Sequence, residues 1–332
     1  NEYKKNVNRK MQKKLFFLFV LLWQMDSLMV QGQIHPETAF YWENPYYLSP
    51  AYVNLDYKGY FSLAARKQWA GLDGSPATFF ATGALFWEDY RTQAGMKILK
   101  DKIGYIHTLD FSLSYTYSLR LAWNNFLNLG IAASWQTQNI DRSKVVVDNF
   151  DDPVFFNEKL KGLKDWNAHL GIEYVYDRSL IVGIASQNMM SFLRDKPHIW
   201  AGVNYAYARY RTRSLARGFD AGRYRTRSFS RSYDMEYGVC LKQYEDDFQV
   251  DGMISLYVNR ENQEEKFQFS LFGRSVGEIG VLAGFKLVSN LKFLCTYDYN
   301  FKAVSDNTYG SFEIMMTYPV QRSRSCRGVW DR

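Results

Sequence analysis

Two groups of carboxylates are the residues best suited to hold a metal ion. Asp148, Asp151 and Asp152 fall in a long stretch between apolar segments, and a second acidic run occupies residues 245–247. Calcium takes about six to eight oxygen ligands, so either group could supply a few of them. Neither has the spaced D-x-D-x-D-G pattern of a calcium loop, and solvated loop charge accounts for both. We therefore predict no metal site and no cofactor.

The residues of common catalytic machinery are also present but scattered. The histidines are His35, His107, His169 and His198, and no H-E-x-x-H motif joins any two of them. The chain has no G-x-S-x-G elbow and no phosphate-binding P-loop. A hydrolase needs its acid, base and nucleophile brought to one place, and nothing here assembles such a set. We predict that the protein is not an enzyme.

Positive charge is concentrated in one segment, residues 209–232, in which the run R-Y-R-T-R-S occurs twice. Its arginines are Arg209, Arg211, Arg213, Arg217, Arg223, Arg225, Arg227 and Arg231. Asp220 is its only acid, so this basic insertion carries +7, which equals the formal net charge of the whole chain. One interpretation is an anion-binding arm for phosphate-bearing lipid, peptidoglycan or an acidic protein. The other is a local duplication that lengthened a tolerant loop.

The elements around these residues follow a two-residue alternation. From Leu109 to Leu121 the odd positions are Leu, Phe or Tyr, and the even positions are Asp, Ser, Thr or Arg. Successive side chains of a strand point to opposite faces, so this segment is a strand with one apolar and one polar face. Aromatic residues make up 17% of the chain and only 7 residues are proline, which suits strands.

About fourteen such segments recur, with no long helical pattern among them. They lie near residues 59–69, 77–86, 92–100, 108–121, 126–136, 166–177, 180–187, 198–208, 233–241, 247–258, 265–273, 277–287, 290–301 and 310–318.

Two all-β architectures fit two-faced strands. In a soluble sandwich the apolar face meets a second sheet, whereas in an outer-membrane barrel it meets lipid and the polar face lines the lumen. Strands of about ten residues match a tilted membrane crossing, and tryptophans such as Trp69, Trp87, Trp135 and Trp166 lie at strand ends, as an interfacial girdle requires. We predict a single transmembrane antiparallel β-barrel of about fourteen strands. A soluble exported β-protein remains the alternative.

The N-terminal residues predict export. Met11 is followed by two lysines and then by an apolar run, residues 15–23, and Val30-Gln31-Gly32 offers small residues at positions −3 and −1 of a cleavage site. That order is typical of a signal peptide, and the run is too short to span a membrane. Because the chain is predicted to be exported, we expect no nucleic-acid partner. The cysteines Cys240, Cys295 and Cys326 are odd in number and scattered, so they do not indicate a disulfide scaffold.

Several short motifs in order carry a resemblance. Residues 44–52 read N-P-Y-Y-L-S-P-A-Y, residues 66–76 read R-K-Q-W-A-G-L-D-G-S-P, and residues 101–104 read D-K-I-G. The remaining matches are Tyr115–Tyr117 with Arg120, Trp166–Ala168, Tyr174–Tyr176, Gly183, Gly273–Ser275, Gly284, Tyr297–Tyr299 and Ser311–Met315. Together they resemble the PorP/SprF family of outer-membrane proteins of the type IX secretion system, across nearly the whole mature chain.

The resemblance implies a single barrel in the outer membrane of a Bacteroidetes-type cell, with a role in protein secretion or gliding. Its implied partners are outer-membrane lipid, periplasmic or lipoprotein subunits of the machinery, and the C-terminal domain of a secreted cargo protein. A passive pore for small solutes is the alternative function. The expected division is residues 1–32 as upstream residues and signal peptide, 33–58 as a periplasmic or plug-like segment, 59–318 as the barrel and 319–332 as a tail.

The resemblance also indicates candidate partner-binding residues. They are Asn44, Pro45, Pro50, Ala51, Tyr52, Arg66, Gln68, Trp69, Gly71, Gly74 and Pro76. The alternative for all of them is structural: they would shape a plug inside the barrel and a turn at its edge, because Gly and Pro suit turns and Trp suits the interface.

Overall fold

The computed structural model describes most of the chain beyond the N-terminal residues. The described residues are 36–55, 57–141, 162–194, 198–212, 232–244, 247–259, 265–287, 291–301 and 308–321. The predicted signal peptide and the tail beyond residue 321 therefore lie outside the described residues. Within the described part, no helix is both long enough and apolar enough to cross a bilayer.

Fourteen strands form a closed antiparallel barrel, in which every strand pairs with its neighbours along the chain and β1 pairs with β14. The strands are β1 (Gly59–Lys67), β2 (Ala77–Trp87), β3 (Thr92–Ile103), β4 (Ile106–Ala122), β5 (Asn125–Ile140), β6 (Leu163–Tyr176), β7 (Leu180–Gln187), β8 (Val203–Thr212), β9 (Ser232–Tyr244), β10 (Asp247–Asn259), β11 (Glu265–Arg274), β12 (Glu278–Lys286), β13 (Lys292–Asn300) and β14 (Ser311–Val320). The prediction of a single fourteen-stranded antiparallel barrel is confirmed. Closure leaves no unpaired strand edge, which a lipid environment requires.

Strand β8 differs most from its predicted bounds of 198–208. It begins at Val203, because Ile199 and Trp200 turn inward and are buried beyond the end of the strand. A short helix, α1 (Met190–Leu193), precedes them. At its other end β8 continues to Thr212. The last strand, β14, continues to Val320 rather than ending near 318.

The two faces of each strand separate as the alternation predicts. In β4, Leu113 and Tyr115 on the outward face are more than half exposed, at 56% and 52%, while Ser112 and Thr116 on the inward face are buried. Across β5 and β6, Trp135 lies opposite Trp166 on the outward face, with ring centroids 6.5 Å apart. The outer wall is therefore apolar and the inner wall polar, as in a barrel surrounded by lipid.

The two ends of the barrel differ in their connections. The terminus-side rim, where β1 begins and β14 ends, carries the connections 88–91, 123–124, 177–179, 213–231, 260–264 and 287–291. The opposite loop-side rim carries the connections 68–76, 104–105, 141–162, 188–202, 245–246, 275–277 and 301–310. Apart from 213–231, the longer connections belong to the loop-side rim. Outer-membrane barrels usually direct such loops to the cell surface.

The lipid-facing assignment predicts a depth-dependent response to charge. We expect Leu113→Arg, near the middle of β4, to cost about 2–4 kcal/mol and to reduce the fraction of heat-modifiable, folded barrel in outer-membrane preparations. Leu121→Arg is the matched control, because Leu121 is on the same face of the same strand at its terminus-side end. It should cost about 0–1 kcal/mol. Equal effects of the two substitutions would contradict a lipid boundary around the barrel.

Candidate functional site

Residues 36–55 lie inside the barrel and form what we call the plug. It contains two single 3₁₀ turns, Phe40–Trp42 and Pro45–Tyr47. Phe40, Tyr41 and Trp42 are almost completely buried, and the aromatic side chains of the second turn are buried as well. Aromatic bulk therefore fills the lumen that the inward-facing side chains of the wall leave open.

Ion pairs hold the plug at the level of the loop-side rim. A Glu37 carboxylate oxygen lies 3.1 Å from Lys242 Nζ, and Tyr244 Oη donates to the other oxygen at 3.1 Å. Nearby, Thr38 Oγ1 donates to Glu313 at 3.0 Å, and the Ala39 backbone N–H donates to the same carboxylate at 2.8 Å. Lys242 is two residues from the end of β9, so this end of the plug lies near the loop-side rim.

The charge of Glu37 is fixed by these contacts. Burial alone would raise the pKa of its carboxyl, but the Lys242 ammonium and the Arg274 guanidinium outweigh burial and lower that pKa to about 2. Glu37 is therefore an anion at neutral pH, and loss of its cations on the wall would leave a buried charge uncompensated.

A second charged contact between plug and wall lies closer to the terminus-side rim. The Glu43 carboxylate accepts a hydrogen bond from Lys292 Nζ at 2.8 Å and another from Gln268 Nε2. Burial would raise the pKa of Glu43, but Lys292 brings it below its ordinary value. Lys292 opens β13 at the terminus-side end, so the wall holds plug carboxylates at two heights.

The candidate residues of the 44–52 motif belong to the plug. Asn44 Nδ2 donates to Thr82 Oγ1 at 2.6 Å, and Pro45 begins the second 3₁₀ turn. Carbonyl groups of the plug accept from inward-facing wall side chains: Thr116 Oγ1 donates to Pro50 O at 2.6 Å, and Gln93 Nε2 donates to Tyr52 O at 2.8 Å. Gln187 Nε2 likewise donates to the carbonyls of Tyr47 and Leu48.

Ser49 and Ala51 of the plug explain two inward-facing glycines. Gly130 and Gly171 lie opposite each other on β5 and β6, directly against the plug. A Cβ atom at Gly130 would come within 2.4 Å of Ala51 N, and one at Gly171 within 2.3 Å of Ser49 Oγ. Wall and plug backbone therefore approach more closely here than any side chain on the wall would permit.

Arg66 joins the closing strands of the barrel. Its guanidinium donates to both carboxylate oxygens of Asp298, at 2.8 and 2.9 Å, and to Glu313. All three side chains are at most 1% exposed. Since Glu313 also binds Thr38 and Ala39, one buried cluster connects β1, β13, β14 and the plug.

The other candidate residues of the 66–76 motif form an ordered loop at the loop-side rim. Gln68 and Pro76 are buried and close the loop through a backbone hydrogen bond of 3.0 Å. Gly71 and Gly74 have φ of 98° and 72°, which glycine adopts without strain, whereas Trp69 has φ of 48°.

Main-chain bonds attach this loop to both neighbours. Ala70 exchanges two hydrogen bonds of 2.8 Å with Tyr309 and Gly310 of the β13–β14 connection. Gly104 of the β3–β4 turn donates to Gly74 O at 2.8 Å. The loop is therefore a fixed part of the rim.

Two arginines of the basic insertion belong to strand β8. Arg209 faces the lumen and binds the Glu236 carboxylate at 2.8 Å. Arg211 pairs with Asp234 and Glu265, so neither arginine is part of a free loop. Arg213, Arg217, Arg223, Arg225, Arg227 and Arg231 lie outside the described residues. The connection that contains them starts and ends at the terminus-side rim.

The described residues show little that could hold a metal or a small ligand. No group of three or more His, Cys, Asp or Glu side chains among them is arranged to bind a metal ion. A small cavity between the plug and the wall, lined in part by Tyr46, Lys97 and His169, has room for about one water molecule. Ligand pockets are typically about 300–1,000 Å³ and mostly apolar, so this space has the size of a packing gap.

The comparison with protein families decides the identity of the chain. The family described as type IX secretion system membrane protein PorP/SprF matches residues 30–318. The chain belongs to the PorP/SprF family. The family match and the barrel together make this PorP/SprF protein an outer-membrane β-barrel of the type IX secretion system, as the sequence motifs indicated.

Solved structures resemble this PorP/SprF chain only in a general way. The outer membrane protein Omp33 of Acinetobacter baumannii has 8% identity and a TM-score of 0.44, over 80% of this chain and 100% of its own. CdiB of Acinetobacter baumannii has 9% identity and a TM-score of 0.42, over 79% of this chain and 60% of its own. BamA of Haemophilus ducreyi, lacking POTRA domains 1–3, has 8% identity and a TM-score of 0.38, over 79% and 70%. No curated protein matches the chain.

The lumen contains charged residues that the motif analysis of this PorP/SprF chain missed. Glu37 and Glu43 of the plug and Lys242, Arg274 and Asp251 of the wall were not among the candidates. The alternation of the strands could have identified the wall residues, because each of them occupies an inward-facing position of a two-faced strand. Charge at such positions in a membrane-spanning barrel has to be paired or hydrated.

The Arg66 cluster predicts a large loss of stability on truncation. We expect Arg66→Met to lower the free energy of unfolding by about 3–5 kcal/mol, because Asp298 and Glu313 would remain buried without their counter-charge. Arg194→Met is the control, since Arg194 is 44% exposed on the side chain and 3.6 Å from Asp165. It should cost about 0–1 kcal/mol. Denaturant titration of the folded barrel in detergent measures both, and similar losses would contradict the proposed cluster.

Proposed function

We propose that this protein is a non-enzymatic anchor of the type IX secretion machinery that holds a partner protein at its loop-side rim. The observation that carries the proposal is the plug, because a barrel whose lumen is packed with its own chain offers its rims to partners rather than a path to solutes. Membership of the family supports a role in the type IX secretion system. The loop-side rim is the surface on which we expect the partner to be held.

The plug argues against the passive pore. Its described residues extend from Glu37, near the loop-side rim, to Leu55, which packs with Phe86, Phe126 and Val175 at the terminus-side ends of their strands. Hydrogen bonds and ion pairs bind it to the wall between these levels. An open channel would require all of these contacts to be broken together.

The loop-side rim has the properties of a docking surface. The 68–76 loop is attached to its neighbours by main-chain hydrogen bonds, so little ordering entropy would be lost on binding. Exposed apolar side chains lie on other connections of the same rim. Tyr309, on the neighbouring β13–β14 connection, is 76% exposed, and Leu193 and Phe192, on the β7–β8 connection across the rim, are 73% and 49% exposed. Rigid aromatic and apolar groups on a fixed frame are the usual anchors of protein interfaces.

The partner that we propose for the loop-side rim is the C-terminal domain of a secreted protein. Such a domain reaches this rim if the loop-side rim faces the cell exterior. The terminus-side rim would then face the periplasmic and lipoprotein subunits of the machinery. The basic insertion would belong to that side, because β8 and β9 flank it there.

Site-specific photo-crosslinking in cells tests the two faces. We expect a crosslinking residue at Leu72, in the 68–76 loop, to capture a secreted protein through its C-terminal domain. The matched position is Tyr90, which is 74% exposed in the 88–91 turn at the opposite rim and should capture periplasmic subunits instead. If Leu72 captures nothing while Tyr90 captures machinery, the surface-docking role is wrong and a purely periplasmic anchor remains.

Planar bilayers test the alternative of a passive pore. We expect the intact barrel to show no stable conductance. Gly130→Ala places a Cβ against Ala51 N and should loosen the plug, at a cost of about 1–3 kcal/mol, with intermittent openings. Gly252→Ala is the matched control, because a Cβ there meets nothing within 4 Å. Steady conductance of the unmodified barrel would show that it is a pore and that the anchor proposal is wrong.

A further inference from the structure

The described part of the outer wall carries almost no charge, and most of that charge is in one place. Among the outward-facing positions of the described strands there is no Asp or Glu. Among the described strands, four of the outward-facing lysines lie in one region, the loop-side ends of β1, β3 and β6. They are Lys67, Lys100, Lys102 and Lys164, and we call them the lysine patch. Lys266, at the bulge where β11 starts, is exposed at the opposite rim.

The strand register brings these lysines together. Lys67 lies opposite Ala77, and Ala77 lies opposite Lys102, so the two lysines are two strands apart in one row. His107 is the next residue in that row, opposite Lys102. Neighbouring strands are about 4.8 Å apart, so Lys67 and Lys102 are about 10 Å apart across the wall.

A second row lies one step closer to the middle of the membrane. It runs from Lys100 through Leu109 and Thr137 to Lys164, by successive pairing of β3, β4, β5 and β6. Three strand spacings separate its two lysines, which is about 14 Å. The patch therefore extends about 24 Å from β1 to β6 on one side of the barrel, with lysines on successive strands of the patch about 10–14 Å apart.

Tryptophans define the depth of the patch. The next row inward contains Phe111, Trp135 and Trp166 in register. Amphipathic indole rings concentrate at the boundary between hydrocarbon and headgroups. Lys164 is two residues beyond Trp166, about 7 Å further along a strand, and a long lysine side chain extends its ammonium group away from hydrocarbon. The ammonium groups of the patch therefore lie at headgroup level.

The described residues provide no carboxylate partner for the lysine patch. Lys67 Nζ donates to the carbonyl of Ser75 at 2.9 Å, which leaves its charge uncompensated. Elsewhere around the same end of the barrel, outward positions are uncharged, such as Ser186 on β7, Asn204 on β8 and Gln243 on β9. General solvation of this rim does not explain why cations occur on β1–β6 alone.

We propose that the lysine patch is a binding site for a phosphate-bearing lipid headgroup in the leaflet at the loop-side rim. Lysine is a compact point charge that binds phosphate without a fixed geometry, and basic residues at headgroup level bind anionic lipid. The outer leaflet of an outer membrane contains glycolipids with phosphate groups, which fit cations spaced about 10–14 Å apart along the wall. Such a lipid would fix the rotational position of the barrel among its neighbours in the membrane. This proposal is independent of the docking role of the rim.

Binding of lipid A to the purified full-length barrel in detergent tests the site. Native mass spectrometry measures occupancy with phosphorylated lipid A, with the same lipid after removal of its phosphates, and with inorganic phosphate as a competitor. The patch variant is Lys100→Gln/Lys102→Gln. The matched control is Lys58→Gln/Lys266→Gln, which removes two exposed charges at the opposite rim.

We expect the patch variant to bind phosphorylated lipid A on the order of tenfold more weakly, while the control variant binds as the unmodified protein does. Added salt should weaken binding to the unmodified protein and affect the patch variant less. Heat-modifiable migration checks that both variants are folded. Equal binding of dephosphorylated lipid A, or an equal loss in both variants, would overturn the proposal. Saturation of the patch by inorganic phosphate alone, with no preference for lipid, would overturn it as a lipid site.

Discussion

The space enclosed by the wall is the constraint on which this structure depends. About eight strands close around a volume that their own side chains fill, whereas fourteen leave a lumen that has to contain water or other protein. Here residues 36–55 fill it, and the wall is adapted to them. Gly130 leaves room for the backbone of Ala51 and Gly171 for the side chain of Ser49, and inward-facing polar side chains bind carbonyl groups of the plug. The plug is therefore an integral part of the folded barrel.

The pairing of charged side chains in the lumen follows from the same constraint, that the lumen is filled with protein. A buried ion costs several kcal/mol unless a partner compensates it, so inward-facing charges occur as pairs and clusters. Glu37 pairs with Lys242 and Glu43 with Lys292, which makes each plug carboxylate a partner of the wall. The outward face meets hydrocarbon, which provides no counter-charge, and its described positions are accordingly uncharged apart from the lysine patch and Lys266, both near the rims.

The motifs mark segments of the chain without indicating where those segments lie in the barrel. Residues 44–52 and 66–76 were selected as one candidate set, but the structure divides them between the plug and a fixed loop at the rim. Arg66 looked like a residue of that loop and is instead the centre of a buried cluster. Arg209 looked like part of a basic insertion and is a lumen residue of β8. In each case the motif indicated a position along the chain, while the contact comes from another strand.

The sequence by itself determined the strands, their number and their two faces, because alternation is a local consequence of backbone geometry: Leu113 and its odd-numbered neighbours face one way in any strand. It did not determine what fills the lumen or which charges meet. Arg66 binds Asp298 and Glu313 from 232 and 247 residues away. Such partners, like the alignment of Lys100 with Lys164, depend on the register between strands and on closure of the barrel. No local pattern encodes that register, so only the tertiary structure decided it.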